Sequence, residues 1–261
     1  MTSQFRGMVD LRVEQGFTVY QTNLRSDMGA ADRYWIDGGM PKGAEDLPNV
    51  AFYQQELDRR MAYIADAGLV NALGQSWAFS IRGEHGVEHQ KHLARYLVAR
   101  YGAYPMVWTL AGEVAGYGEE NRAAFLEGWR EVALEIEARD GYGHLATAHY
   151  TNERPFADYY QDELWMDFTL NQAGHGDYLI KASDYYDYLA KYGDKPFVEG
   201  EALYEFCSTL EEMGTRLCTA DMLRRVAYIC MQAGGAGYTY GAQGIWDNVW
   251  ESPKELDPFM A

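Results

Sequence analysis

An α/β chain built as a (β/α)8 barrel is the architecture expected from three features of the sequence. Short apolar or β-branched runs alternate with longer segments of helical period, which is the pattern of βα units around a parallel sheet. The length of 261 residues suits one barrel of roughly 250 residues. No Pro/Gly/Ser-rich linker or low-complexity tract divides the chain, so residues 1–261 are expected to form a single domain.

The strand candidates, in order, are Gly16–Leu24 (GFTVYQTNL), Gly68–Phe79 (GLVNALGQSWAF), Pro105–Val114 (PMVWTLAGEV), Leu145–Tyr150, Trp165–Gln172, Pro196–Glu201 and Gly237–Tyr240. Helical segments lie between them. Leu57, Met61 and Ile64 recur at helical spacing, as do Phe125, Trp129, Val132 and Ile136, and each set lays one apolar stripe on a sheet. Asp221–Gln232 is a further amphipathic helix, with Thr219 or Asp221 available as its N-cap. Gly68, Gly102, Gly141 and Gly193 stand where helices should stop.

Composition narrows the function. With 39 Asp and Glu against 22 Lys and Arg, a formal charge of −17 repels phosphate backbones and anionic lipid headgroups, so neither nucleic acid nor membrane is an expected partner. Cys207, Cys218 and Cys230 form no CxxC pair and read as core thiols. Met1 to Asp10 lacks the basic stretch and apolar region of a signal peptide, and no window approaches 18 uninterrupted apolar residues. As given, the chain reads as cytoplasmic.

Two long segments follow strands, Arg25–Val50 and Thr151–Glu163, and loops after barrel strands form the functional face. Tyr34, Trp35, Phe52, Tyr53, Phe156, Tyr159 and Tyr160 in or beside them are candidates either for sugar-stacking platforms or for plain packing on the rim.

Glu113 closes PMVWTLAGE and Glu201 closes KPFVEGE. A carboxylate ending a buried parallel strand is poorly explained by packing, because ionised groups rarely enter cores unpaired. Two such groups, one protonated and one ionised, are what glycosidic bond cleavage needs. Residues at comparable strand positions, each a candidate substrate contact or a satisfied rim residue, are Gln21, Asn23, Gln75, Trp77, His149, Asp167, Asn171, Gln172 and Tyr240. Glu199 lies two residues before Glu201, on the same face of a regular strand, and is a rival to it for whatever role the strand-end carboxylate plays. A retaining pair would be separated by about 5–5.5 Å and an inverting pair by more than about 6.5 Å.

A metal alternative rests on His85-Gly-Val-Glu88-His89, which matches the HxxEH pattern of one class of zinc proteases, with His92 one turn later. The competing reading is a solvated helix start, since glycine sits inside the helix the motif requires. No metal and no other cofactor is expected.

The strings LRVEQGFTVYQTNL, ARYGAYPMVWTLAGE, WMDFTLNQAGH, KPFVEGEALYE and GGAGYTYGAQGIW resemble, in order and spacing, the apiosidase-like glycoside hydrolases, from about Leu11 to Trp246. The resemblance implies a retaining (β/α)8 glycosidase acting on a plant or bacterial polysaccharide, with Glu113 at the acid/base position and Glu201 at the nucleophile position. Family members often carry Asp at the first of these, one methylene shorter. His149, Asp167, Gln172, His175, Glu205 and Tyr240 match residues lining the sugar pocket, and Trp246, which closes the last string, is a further expected substrate contact. The family pattern also implies a strand before the Phe5–Gln15 segment and a helix after the last strand. Both are expected to be lacking here, which would leave open barrel edges available for self-association. It further implies a periplasmic or secreted location if the N-terminus is truncated. The alternative from another class is a catalytically impaired carbohydrate-binding relative.

Overall fold

The β-branched and aromatic residues of Val19–Asn23 form β1, and the apolar stretch Val70–Gly74 forms β2 beside it in parallel, with Val19 opposite Val70 and Asn23 opposite Gly74. The computed structural model describes residues 3–24, 47–118, 120–153, 156–174, 180–211, 214–243 and 245. These divide into two compact units, Met1–Thr151 with Asp162–Asp167, and Asn152–Gln161 with Phe168–Ala261.

In the first unit, α1 (Ser3–Glu14) precedes β1 and buries Phe5 and Val9, with the Phe5 ring edge-on to Tyr20 at 6.0 Å. A helical turn at Val50–Phe52 and a π turn at Tyr53–Leu57 lead into α2 (Asp58–Asp66), which buries Met61 and Ile64. Gly68 then reverses the chain at φ +86°, a left-handed conformation that favours glycine. Of the other glycines expected to stop helices, Gly102 and Gly193 are caps without a left-handed backbone, and Gly141 follows the cap Asp140.

Parallel pairing continues from β2 to β4 (Met106–Trp108). The apolar runs 68–79 and 105–114, expected as continuous strands, each break in two. Short strands β3 (Ser76–Trp77) and β5 (Ala111–Gly112) pair separately from β2 and β4. The cause lies at Leu110, whose φ of +55° departs from strand geometry and whose carbonyl accepts the Gln75 N–H at 2.6 Å. The Leu145–Tyr150 run is not a full strand either. Its bridge residues are isolated, as where Ala146 bridges Trp108, and it follows the sheet through hydrogen bonds such as Thr147 N–H to Trp108 O at 2.8 Å.

Two long helices cover this sheet. In α3 (Gly86–Tyr101) the buried set includes Leu93, Ala94, Leu97 and Val98, and in α4 (Arg122–Arg139) it includes Phe125, Trp129, Val132 and Ile136, the stripe expected from spacing. Arg100 donates to both carboxylate oxygens of Asp58 at 2.7 and 2.5 Å, tying the end of α3 to the start of α2. His85-Gly-Val-Glu-His89 is the opening turn of α3, with the His89 N–H bonded to the His85 carbonyl and Glu88 ion-paired to Lys91. The HxxEH string therefore begins a helix, and among the described residues no group of His, Cys, Asp and Glu is placed to hold a metal ion.

The second unit is a parallel sheet in the order β11–β7–β6, from β6 (Thr169–Gln172), β7 (Phe197–Glu201) and β11 (Gly237–Tyr238). Short β8 (Tyr204–Glu205) pairs in parallel with β12 (Gly241–Ala242), and β9 (Ser208–Glu211) pairs antiparallel with β10 (Gly214–Leu217). Helices α5 (Ala182–Tyr192) and α6 (Ala220–Gln232) pack here, the second capped by the Thr219 hydroxyl on Met222 N–H. Tyr185, Phe197, Leu203, Val226, Cys218 and Cys230 belong to its core, so these two thiols are core residues as expected. Phe156 and Tyr160 are buried as well, as is Tyr53 in the first unit, which corrects the sugar-platform reading of these rings in favour of packing. Tyr34 and Trp35 lie outside the described residues. No helix among the described residues is long and apolar enough to cross a membrane.

Gly86 tests the packing at the start of α3, where a Cβ would lie 2.4 Å from the Ile81 carbonyl carbon and oxygen. Gly86→Ala is expected to destabilise the protein by about 1–3 kcal/mol, read by urea unfolding, because rigid backbone rather than a flexible side chain stands in the way. An unchanged midpoint would show that the turn relaxes freely.

Candidate active site

In the first unit the site is built around the break after β5. The six-membered edge of the Trp77 indole lies against Gly112, where a Cβ would sit 2.3 Å from the ring, so only glycine lets the chain pass. Glu113 follows at φ +51°, a conformation that costs a residue with a side chain on the order of 1–3 kcal/mol. The turn is held by the Gly116 N–H on the Glu113 carbonyl at 2.7 Å and by the Glu113 N–H on His149 Nδ1 at 3.4 Å. His149 Nδ1 is thereby an acceptor, which places a neutral ring's proton on Nε2. Glu113 is only 3% exposed, and its Oε2 accepts the Tyr117 hydroxyl. The Tyr117 ring itself is 62% exposed.

Other expected residues of this unit divide by what they bond. Asn23 ends β1 and donates to the Ser76 carbonyl at 2.5 Å, beside Trp77. Gln21 is half-buried in β1 opposite Ala72. Gln75 is buried and gives its amide to the Gln90 carbonyl and side-chain oxygen, both at 2.9 Å, so it braces α3. Asp167 is exposed and lies before β6, its Oδ2 accepting the Ala146 N–H at 2.8 Å. Ala146 lies near the start of the Leu145–Tyr150 run, so Asp167 belongs with strand starts rather than with the strand ends that carry Glu113 and Asn23.

In the second unit Glu201 ends β7, half-buried, with its carbonyl accepting the Gly174 N–H at 3.0 Å. Gln172, which ends β6, is its register partner. Gln172 Oε1, Asn171 Oδ1 and the Tyr238 hydroxyl are buried without a hydrogen-bond partner, in a setting where most buried polar atoms have one. Tyr240 donates its hydroxyl to Glu205 Oε2, so these two expected residues meet. His175 and Trp246 lie outside the described residues.

Glu199 has no solvent exposure. Its Oε1 accepts the N–H of Ala173 at 2.9 Å and of Glu201 at 3.4 Å, and its Oε2 accepts Asn171 Nδ2 at 2.9 Å and the Tyr185 hydroxyl at 3.1 Å. Burial pushes this carboxyl above the ordinary carboxylate range, and the four hydrogen bonds pull the other way. Burial, assisted by Glu199, also raises the neighbouring Cys230 thiol to about 12.

Sequence reasoning missed Tyr117 and Tyr185. Tyr117 stands four residues after Glu113 in a loop, and its aromatic character alone carries no sign of a hydroxyl aimed back at a carboxylate. Tyr185 sits on the apolar stripe of α5 and looks like any core ring.

Solved structures share this arrangement of strands and helices. A glycoside hydrolase family 5 structure from Bacteroides vulgatus matches with a TM-score of 0.72 and 20% identity, over 93% of this chain and 55% of that one. A putative glycoside hydrolase from the same organism matches with a TM-score of 0.60 and 14% identity, over 93% and 48%. Thermotoga maritima Cel5A, solved with mannotriose, matches with a TM-score of 0.62 and 11% identity, over 96% and 86%. The chain spans about half the length of the two Bacteroides structures. No curated protein is a significant match to the sequence. By fold, then, this is an α/β domain of the kind found in glycoside hydrolases. It belongs to the apiosidase-like family, whose catalytic-domain model matches residues 2–258, in agreement with the resemblance carried by its motifs.

The Glu199 carboxyl makes stability depend on pH. In the unfolded chain it ionises near the ordinary value of about 4.3, while the folded chain keeps its proton to higher pH. Its contribution is therefore complete below about pH 4.3 and is lost as pH rises through the elevated folded-state value. Urea unfolding from pH 4 to 8 is expected to show the parent losing stability relative to Glu199→Gln as pH increases. Parallel curves for the two proteins would contradict it.

Proposed function

We propose that this chain is the catalytic domain of a retaining glycoside hydrolase acting on a plant or bacterial polysaccharide. The observation that carries the reading is a glutamate at the C-terminal end of a parallel strand in each unit, Glu113 after β5 and Glu201 at the end of β7, in a chain of the apiosidase-like family. The (β/α)8 barrel is the architecture expected for this chemistry.

Glu113 acts as the general acid, protonating the leaving glycosidic oxygen, and then as the base that removes a proton from the attacking water. Glu201 attacks the anomeric carbon, forms the covalent glycosyl-enzyme and is released when water takes its place. His149 and Tyr117 support the first role. One fixes the strained backbone of Glu113, and the other orients the carboxyl through Oε2. Trp77, half-buried against Gly112, offers a face on which the C–H surface of a sugar can stack. Gln172, buried beside Glu201 with Oε1 unpartnered, supplies an acceptor for a sugar hydroxyl. The carbohydrate complexes of Cel5A with mannotriose and cellobiose support sugar as the ligand class.

A screen of pectic, arabinan and other wall glycans for released sugars is expected to find a substrate for the parent. Glu113→Ala and Glu201→Ala should each lower kcat by at least about 1,000-fold on it. Binding of a glycan without cleavage, unchanged in Glu201→Gln, would instead show a carbohydrate-binding relative. On a cleaved substrate, NMR of the first product is expected to show the anomeric configuration of the parent linkage, and an inverted anomer would overturn the retaining mechanism.

Tyr117→Phe keeps the ring and removes one hydrogen bond to a catalytic carboxyl, an interaction of about 1.5–3 kcal/mol when charged. A fall in kcat/KM of about 10- to 100-fold is expected. An unaffected rate would show the contact to be incidental.

A further inference from the structure

We propose that Glu199 is a positioning residue for Glu201: its buried carboxyl holds the bulge between β6 and β7 that aims the Glu201 side chain, and it takes no part in bond cleavage itself. The inference rests on the glycosidase reading above and adds to it the part of the fold that sets the geometry of its nucleophile.

In an unbroken strand, residues 199 and 201 would point to the same face. Here the register runs Asn171 opposite Glu199 and then Gln172 opposite Glu201, so Gly200 is an extra residue in β7. Bulges of this kind redirect a side chain. The two glutamates accordingly differ in environment, Glu199 fully buried and Glu201 half-buried. Glycine is required between them, because a Cβ at 200 would lie 2.5 Å from Leu170 Cδ1 and 3.2 Å from the Asn171 carbonyl oxygen.

Glu199 Oε1 accepts the main-chain N–H of Glu201 and that of Ala173, the residues just past the bulge on each strand. Oε2 is held by Asn171 on β6 and by Tyr185 on α5. One carboxyl thus clamps the backbone of the proposed nucleophile to the neighbouring strand and to a helix. When ionised, each of its oxygens receives two N–H or O–H donors, and with no solvent exposure it has no lone pair open to an anomeric carbon. Facing it from the other packed elements are the Tyr238 hydroxyl on β11 and the Cys230 thiol on α6, with Glu201 on its own strand.

Glutamine reproduces this clamp. Its oxygen can accept both main-chain N–H groups, and its amide can donate to Asn171 Oδ1, which is buried without a partner, or to the Tyr185 oxygen. Leucine has similar size and no acceptor.

The experiment compares the parent with Glu199→Gln, Glu199→Leu and Tyr185→Phe by steady-state kinetics on a cleaved glycan and by amide hydrogen exchange without substrate. Glu199→Gln is expected to keep kcat within about tenfold of the parent, and Glu199→Leu to lose about 100-fold or more with KM little changed, the effect of a misplaced reacting group. Protection of the Glu201 and Ala173 amides should persist in Glu199→Gln and fall by at least about tenfold in Glu199→Leu. Should the leucine variant not fold, Tyr185→Phe, which removes one donor and keeps the ring, is expected to lower kcat by about 3- to 10-fold at constant KM. A Glu199→Gln enzyme as inactive as Glu201→Gln would make Glu199 catalytic and overturn the proposal. Parental kcat and amide protection in both Glu199→Leu and Tyr185→Phe would overturn it as well. If the parent cleaves no glycan, the glycosidase reading fails by itself, and the exchange pattern alone decides whether Glu199 holds the Glu201 backbone.

Discussion

Four hydrogen bonds converging on one carboxyl with no solvent exposure constitute the constraint on which the second unit depends. Glu199 joins β6, β7 and α5 through its two oxygens, and its own carbonyl accepts the Thr239 N–H at 2.8 Å on the β11 side. A buried carboxyl is costly unless each lone pair is engaged. Full engagement makes it a rigid node, and the bulge beside it is stable only because the carboxyl receives the main-chain N–H groups there. What the sheet gains is a defined orientation for the residue two positions later. The sequence Glu-Gly-Glu thus combines a buried clamp, a residue without a side chain where two strands press together, and a half-exposed carboxylate.

A related economy operates in the first unit at Glu113. Its left-handed backbone is unfavourable for a glutamate, and it persists because neighbours over-determine it. Gly112 passes beneath the Trp77 ring, His149 receives the Glu113 N–H, and Gly116 closes the turn. Strain of this sort concentrates where a side chain must point in a direction regular structure would not give it. In both units the proposed catalytic carboxylate stands just past, or at, a departure from strand geometry, supported by neighbours with engaged hydrogen bonds.

The parallel strands and amphipathic helices were legible in the sequence wherever a periodic pattern ran uninterrupted. Val19–Asn23, Phe197–Glu201 and the stripe Phe125, Trp129, Val132, Ile136 are such cases. The breaks were not legible. Leu110 and Glu113 adopt positive φ without the glycine or asparagine that usually announces it, so PMVWTLAGE reads as one strand although it is two. Glu113 and Glu201 stand out in the sequence as candidates because charge at the end of an apolar run needs an explanation, and the structure does place both at strand ends. The separation of Glu199 from Glu201 was not legible, since alternation puts both on one face until the bulge is seen. Gln75 shows the opposite limit: its strand-end position suggested a ligand contact, but a glutamine on the neighbouring helix takes its amide. Aromatic content was equally ambiguous, as Phe156 and Tyr160 fill the core while Tyr117, unremarked in the sequence, reaches a carboxylate.

The proposed mechanism turns on which carboxyl forms the covalent intermediate. Trapping the enzyme with a 2-fluoro glycoside of the sugar it releases, followed by peptide mass mapping, reads this directly. The label is expected on Glu201, with no label in Glu201→Gln and normal labelling in Glu199→Gln. A label on Glu199, or turnover with no covalent species in the parent, would contradict it.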